Sequence, residues 1–220
     1  PSPPILVDVT VDGTAVKAVV QVTKQAFAYV FDRLTGDPIW PIEERPVPSS
    51  DIPGERTSPT QPFPSKPAPF DLQGLTVDDL IDFTPQLRAE AIEIASQYRT
   101  GPIFTPPSLE GAADGPKGLI QSPGQGGGSN WEGGAVDVES GVLYVASVTR
   151  PIVRGLFNDR EQSDMDFIDA RWRLDGPQGL PLTKPPWGRV TAIDLNTGEH
   201  LWMVPNGDTP DFVRNHSALV

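Results

Sequence analysis

The chain of 220 residues contains no cysteine and only two histidines. It also has no apolar run near the ~20 residues that a membrane-crossing helix needs. Each absence closes a class of function. Without thiols there is no disulfide, no thiolate nucleophile and no zinc–cysteine site, although no compartment follows from that. His200 and His216 have no ligand partner at helical spacing, so no metal role is expected for them. Positive charge is scarce: 17 Lys and Arg against 29 Asp and Glu leave a formal net charge of −12. A nucleic-acid partner would require a basic face, so none is expected. The carboxylates show no paired arrangement that would support a glycoside hydrolase. The glycine-rich run Gly124 to Asn130 lacks the Gly-Lys-Ser/Thr that a phosphate-binding loop requires.

What the chain does have is proline, 26 residues, and glycine, 21 residues, a composition of many turns and long ordered loops. Short segments rich in β-branched residues lie between turn signals. Residues 5–11 read as a strand, Asp12-Gly13 as a hairpin turn, and 15–22 and 27–31 as further strands. Residues 41–75 carry nine prolines between positions 41 and 69. Proline has no amide donor, so this stretch predicts an extended surface excursion and no central strand. Residues 76–99 predict a helix: Thr76 and Asp79 form a capping pair, Thr84-Pro85 a second start signal, and Leu87, Ala91, Ile94, Ala95 and Tyr98 share a face. Gly101 is its expected stop. Strands resume at 135–137, 142–147, 190–194 and 201–203. Residues 150–186 read as a loop, and the tail from Pro205 has no regular pattern. The opening Pro-Ser-Pro-Pro-Ile-Leu-Val reads as entry into a strand and not as a leader, as expected of a piece of a longer chain.

An internal repeat organises these strands. Ala192 to Trp202 has the form A-x-D-x-x-T-G-x-x-x-W, and Val30 to Trp40 repeats it with Val for Ala. Ala135 to Tyr144 is a degenerate copy, with Ser140 for Thr and Tyr144 one place early. The aspartate can accept turn amides, the glycine can take a positive φ, and the tryptophan can cover a neighbouring sheet.

This pattern resembles the tryptophan-docking motif of PQQ-dependent (quinoprotein) glucose and alcohol dehydrogenases. The resemblance extends through PPILVDVTVDG, QVTKQAFAYVFDRLTG, TSPTQPF, GPIFTPPSL, NWEGGAVD and PPWGRVTAIDL. It implies an all-β fold, a fragment of an eight-bladed β-propeller spanning two to three blades. The Pro-rich and helical insertion would occupy about 41–118, with its helix at about 76–99.

On spacing alone Lys24 is a surface lysine. The resemblance aligns it with the family lysine that hydrogen-bonds the quinone oxygens of PQQ. Asn130 and Trp131 read either as a packed loop or, through the resemblance, as a cofactor-contacting pair. Trp187 reads either as a substrate or cofactor contact or, the favoured reading, as packing, and Trp40 and Trp202 read as structural. The resemblance further implies PQQ as cofactor, with calcium or magnesium in the parent protein but no metal ligand in this chain. The family's aspartate base is expected upstream of Pro1. A sugar or alcohol substrate, a quinone or cytochrome acceptor, a periplasmic location and attachment of the parent to the inner membrane are also implied. The alternative is a non-enzymatic propeller with the same repeats that acts as a protein-binding scaffold. Fold alone does not separate the two readings.

Overall fold

The computed structural model describes residues 2–110 and 115–219. Its first sheet is antiparallel, with strands β1 (Ile5–Val11), β2 (Thr14–Val22) and β3 (Ala28–Asp32) in sequence order. A single bridge, Phe31 to Pro38, extends it by part of a fourth strand. The β1–β2 turn is the expected Asp12-Gly13 hairpin, with both residues at positive φ (50° and 79°).

The proline-rich stretch is more ordered than an extended excursion. It folds into a ribbon of β4 (Ile42–Pro46) and β5 (Thr60–Pro64). A two-stranded ribbon has two free edges, and prolines are tolerated there because the missing donor can face outward.

The predicted helix divides. Residues 77–79 form one 3₁₀ turn, capped by the expected Thr76–Asp79 pair. The α-helix α1 spans Pro85–Ser96, and the Thr84 hydroxyl accepts from Leu87 N–H at 3.1 Å. Between them the backbone donors go elsewhere: Ile81 N–H reaches Leu182 O at 3.0 Å, and Leu80 bridges Thr183. The helix ends five residues before Gly101, because the chain leaves it to pair with residues 118–119, Arg99 N–H donating to Gly118 O at 2.8 Å. Leu87, Ala91 and Ala95 face the protein as their spacing requires, with Ile94 and Tyr98 packed beside them.

Short strands β6 (Ser108–Leu109) and β7 (Leu119–Gln121) follow, then β8 (Gly134–Asp137) and β9 (Val142–Val148). The stretch read as a loop instead contains β10 (Ile152–Phe157) and β11 (Ile168–Trp172). Strand β10 pairs with β11 and β7 antiparallel and with β6 in parallel. Strands β12 (Gly188–Asp194) and β13 (Glu199–Pro205) then return to β9, giving an antiparallel four-stranded sheet in the order β13-β12-β9-β8. A single-turn helix, Asp211–Arg214, lies in the tail.

All three copies of the repeat make the same turn. Asp32, Asp137 and Asp194 each accept the amide two residues on, at 2.8, 3.0 and 2.8 Å. The glycine of each copy has φ between 73° and 83°. The degenerate copy joins β8 to β9, so it lies in the same sheet as the Asp194 copy and does not begin a third. Its Tyr144 meets Trp202 within that sheet, with ring centroids 5.8 Å apart.

The first sheet and the β8-β9-β12-β13 sheet share one core. Val7, Val9, Ala18, Val20 and Val22 meet Leu143, Val145, Ile193 and Leu195, with Phe70 inserted among them. Asn196 links the two sheets, its Oδ1 accepting from Thr10 N–H at 2.8 Å and its Nδ2 donating to Ser140 O at 3.0 Å. Trp40, two residues beyond the Pro38 bridge, packs on this core. Its ring would lie 3.0 Å from a Cβ placed on Gly198 in the β12–β13 turn. Trp202 remains 44% exposed. A second core gathers Leu80, Ile81, Leu87 and Ala91 with Ile120, Val153, Leu180 and Leu182.

Two predictions follow from this packing. Gly13 and Gly198 have nearly the same φ, 79° and 75°, but only Gly198 is crowded, by Lys66 and Trp40. Gly13→Ala should cost about 1–2 kcal/mol for the left-handed backbone. Gly198→Ala should cost about 1–3 kcal/mol more through overpacking. Urea denaturation of the two variants checks the order, and equal losses would refute the packing account. The second prediction concerns Asp51, whose carboxylate is held below its ordinary pKa by hydrogen bonds from the Arg99 guanidinium at 2.6 and 3.1 Å. A depressed carboxylate stabilises the fold above its unfolded pKa, about 3.9, and the contribution disappears as pH falls through the folded value. Limited proteolysis between β4 and β5 should therefore accelerate on acidification below about pH 4. The Asp51→Asn protein should show no such step.

Candidate functional site

Antiparallel pairing determines which loops share an end. The exit of β2, the entries of β3, β8 and β12, and the exit of β9 all lie together. Three hydrogen bonds bring the corresponding loops into contact. Gly128 N–H donates to Lys24 O at 3.0 Å, Val148 N–H to Gly128 O at 2.9 Å, and Phe70 N–H to Ala26 O at 3.0 Å.

Lys24 sits in the tight β2–β3 turn, which closes through Thr23 N–H to Phe27 O at 2.9 Å with Ala26 at φ 67°. Its ammonium donates to Gln125 O at 3.2 Å in the glycine-rich run. An ammonium has three donors, so two remain for another partner. Gly127 lies flat against the lysine stem: a Cβ there would lie 2.7 Å from Lys24 Cα, Cβ and Cγ. The turn also lines a cavity of about 360 Å³ with Gln25, Phe104, Gln121, Gln125 and Arg154. Arg154 is paired with Asp169 at 2.7 Å. Phe104 adopts φ 68°, unusual for a bulky residue and a form of strain often found at binding sites.

Asn130 is at the same end but does not line that cavity. Its backbone carbonyl accepts from Ser2 Oγ at 2.5 Å and Gly133 N–H at 3.1 Å. Its side-chain Oδ1 is buried with no hydrogen-bond partner among the described residues. Trp131 is 78% exposed, so it is not the packed loop tryptophan that one sequence reading expected. Trp187 is packed: it borders the second core and its Nε1 donates to Thr183 O at 2.8 Å. The structure thus joins Lys24 to the glycine-rich run, but neither Asn130 nor Trp131 lines the cavity beside Lys24. Sequence reading missed Phe104 and Arg154, since no local signal separates a strained or cavity-facing residue from its neighbours.

A family model described as PQQ: glucose/ethanol/alcohol dehydrogenase, beta-propeller domain, matches residues 1–219. The chain belongs to this family. It is 34% identical to a quinoprotein glucose dehydrogenase of Gluconobacter oxydans over all of this chain and 30% of that protein. It is 31% identical to the glycerol dehydrogenase large subunit of the same organism, over 89% of this chain and 30% of that one. It is 30% identical to the quinoprotein glucose dehydrogenase of Escherichia coli, over 96% of this chain and 28% of that one. Among solved structures, a europium-containing methanol dehydrogenase overlays on 92% of this chain and 27% of its own at 17% identity and a TM-score of 0.47. The family assignment rests on the sequence matches. The chain spans about 30% of the length of the curated relatives it matches.

Residues at this end of the PQQ-family chain suit the cofactor that the family implies. Pyrroloquinoline quinone is an ortho-quinone with carboxylates and a pyrrole N–H. Among the described residues Lys24 has two uncommitted cationic donors, and Asn130 a buried acceptor without a partner. One substitution probes the cradle. Gly127→Ala adds a methyl 2.7 Å from the Lys24 stem at a backbone φ of 85°. It should cost about 1–2 kcal/mol for the backbone alone and displace Lys24. Denaturation combined with a crystal structure checks both, and an unmoved Lys24 would refute the fit.

Proposed function

We propose that the chain is part of a PQQ-dependent dehydrogenase that oxidises a sugar or alcohol hydroxyl to a carbonyl. The observation that carries this reading is Lys24, held against the glycine-rich run with two free donors, in a chain matched end to end by the family model. Bound PQQ would supply the chemistry of hydride acceptance at an ortho-quinone. Lys24 would bind the quinone oxygens and hold the negative charge that grows there. Asn130, and Trp131 through its exposed ring, would complete the contacts this chain makes with the cofactor. Fixed donors at such a site need no reorganisation during reaction.

The remaining parts of the reaction lie outside these residues. An aspartate base upstream of Pro1, a calcium or magnesium ion, and most of an eight-bladed ring belong to the proposed whole enzyme. So do a quinone or cytochrome acceptor, a periplasmic location and a membrane anchor. The repeat tryptophans, Trp40 and Trp202, would each cover the junction with a neighbouring blade. The contact of Trp40 with Gly198 supports this for one junction. The scaffold reading is not favoured, because the relatives with matching sequence are dehydrogenases.

The test uses the full-length protein reconstituted with PQQ and calcium in a dye-linked assay over sugars and alcohols. Oxidation that depends on added PQQ is the expected result, and the complete absence of such activity would refute the reading. Lys24→Ala should lower kcat by about 10²–10³-fold, as for the loss of one oxyanion donor. PQQ binding should weaken less, because the charge is greatest in the transition state. The isolated 220-residue chain should be inert, since a site open to water lacks preorganisation.

A further inference from the structure

A buried charge is costly unless it is paired and hydrogen-bonded. Asp71 meets that condition at one oxygen, Oδ1, where two sheets and three loops converge; its Oδ2 and Arg189 Nε are buried with no hydrogen-bond partner among the described residues. The Asp71 side chain is 1% exposed, and that of Arg189 13%. Asp71 Oδ1 accepts from Leu72 N–H at 2.6 Å and from the Thr149 hydroxyl at 2.5 Å. Thr149 Oγ1 in turn accepts from Arg189 Nη2 at 2.6 Å, and the same nitrogen donates to Pro186 O at 2.7 Å. Arg189 Nη2 lies 3.7 Å from Asp71 Oδ1. The hydroxyl is therefore the only direct hydrogen-bond link between the two charges among the described residues. Buried ion pairs of this kind seldom add net stability over an apolar replacement. What they supply is direction.

The segments tied here are those that carry the candidate site. Phe70 N–H donates to Ala26 O at 3.0 Å, and Gln73 Nε2 to Gln25 O at 2.6 Å, fixing both residues that follow Lys24. Ser147 Oγ donates to Phe70 O at 3.3 Å. Val148, the residue before Thr149, binds Gly128, and Gly128 binds Lys24. A Cβ on Gly128 would meet Ala26 Cβ at 3.1 Å and Asp71 Cβ at 3.2 Å, so Gly128 packs closely against both residues. The result is a closed circuit: the Lys24 turn, the Phe70–Asp71 segment, the exit of β9 and the glycine-rich run, with the entry of β12 locked on by Arg189.

We propose that Asp71, Thr149 and Arg189 form a buried clasp of positioning residues that sets the distance between the Lys24 turn and the glycine-rich run, and through it the affinity for the cofactor. This rests on the PQQ reading for its ligand but not for its geometry. The deciding pair of variants, in the full-length protein, is Thr149→Val, which keeps the shape and removes the hydroxyl, and Thr149→Ser, which restores it. Equilibrium dialysis of the apoprotein with PQQ should show Thr149→Val raising Kd at least about tenfold, the loss of one hydrogen bond to a charged group. Thr149→Ser should stay within about twofold of wild type, a difference too small to represent a lost bond. Equal binding by Thr149→Val and wild type, or equal loss in both variants, would overturn the clasp. Hydrogen exchange at the Phe70 and Gly128 amides gives a second readout. Thr149→Val should lower their protection and Thr149→Ser should not. Failure of the wild-type apoprotein to bind PQQ would sink the functional reading. The exchange result would then still decide the clasp: lowered protection supports it and unchanged protection overturns it.

Discussion

Ala18, Val20 and Val22 on one sheet and Leu143, Val145 and Ile193 on the other form a single apolar layer, and the meeting of the Lys24 turn with the glycine-rich run depends on it. The side chains of the first group are small and mostly β-branched, so the two sheets pack closely along their length. Close packing aligns their strand ends, and aligned ends place the β2–β3 turn beside the entry to β8. The Asp-to-Gly turns reinforce that alignment, because each closes its hairpin through local hydrogen bonds that do not depend on the partner sheet. Asn196 then converts one of these turns into a cross-link, reaching Thr10 of the first sheet.

The long excursions are supported by a core of their own. Residues from α1, β7, β10 and the 180–182 stretch bury one another away from the inter-sheet layer. This explains how a connection of about forty residues between β9 and β12 remains compatible with an ordinary antiparallel sheet. It leaves the sheet as one strand and returns as the next, and its own strands, β10 and β11, pair with each other and with β6 and β7 in a separate sheet. Phe70 connects the inter-sheet core to the site, since its side chain lies in that layer while its neighbour Asp71 points into the polar clasp.

The electrostatics of the loop end differ from those of the chain as a whole. A chain of net charge −12 places Lys24 and Arg154 on one cavity and buries Arg189 beneath the same loops. Two of these cations are matched by carboxylates, Asp169 and Asp71. Lys24 binds only a carbonyl, Gln125 O, among the described residues.

The sequence by itself determined the features that depend on neighbouring residues. Runs of β-branched residues between turn signals specified strands, Asp12-Gly13 specified a hairpin, Thr84-Pro85 specified a helix start, and the Asp-x-x-Thr-Gly spacing specified a turn. Each of these is settled by hydrogen bonds within a few residues. The family resemblance was also readable, because loop segments such as GPIFTPPSL are distinctive. Tertiary structure decided the rest. The helix predicted over 76–99 broke because Leu80 and Arg99 found partners at Thr183 and Leu119, far along the chain. The stretch 150–186 became strands because β10 could pair with β6 and β7, and no local pattern announces such a partner. The degenerate repeat matched in turn chemistry but not in place, since one turn motif can join any two antiparallel strands. The contact of Lys24 with Gly127, and the link between Asp71 and Arg189, join residues about a hundred positions apart. Only the packing of the two sheets brings such residues together.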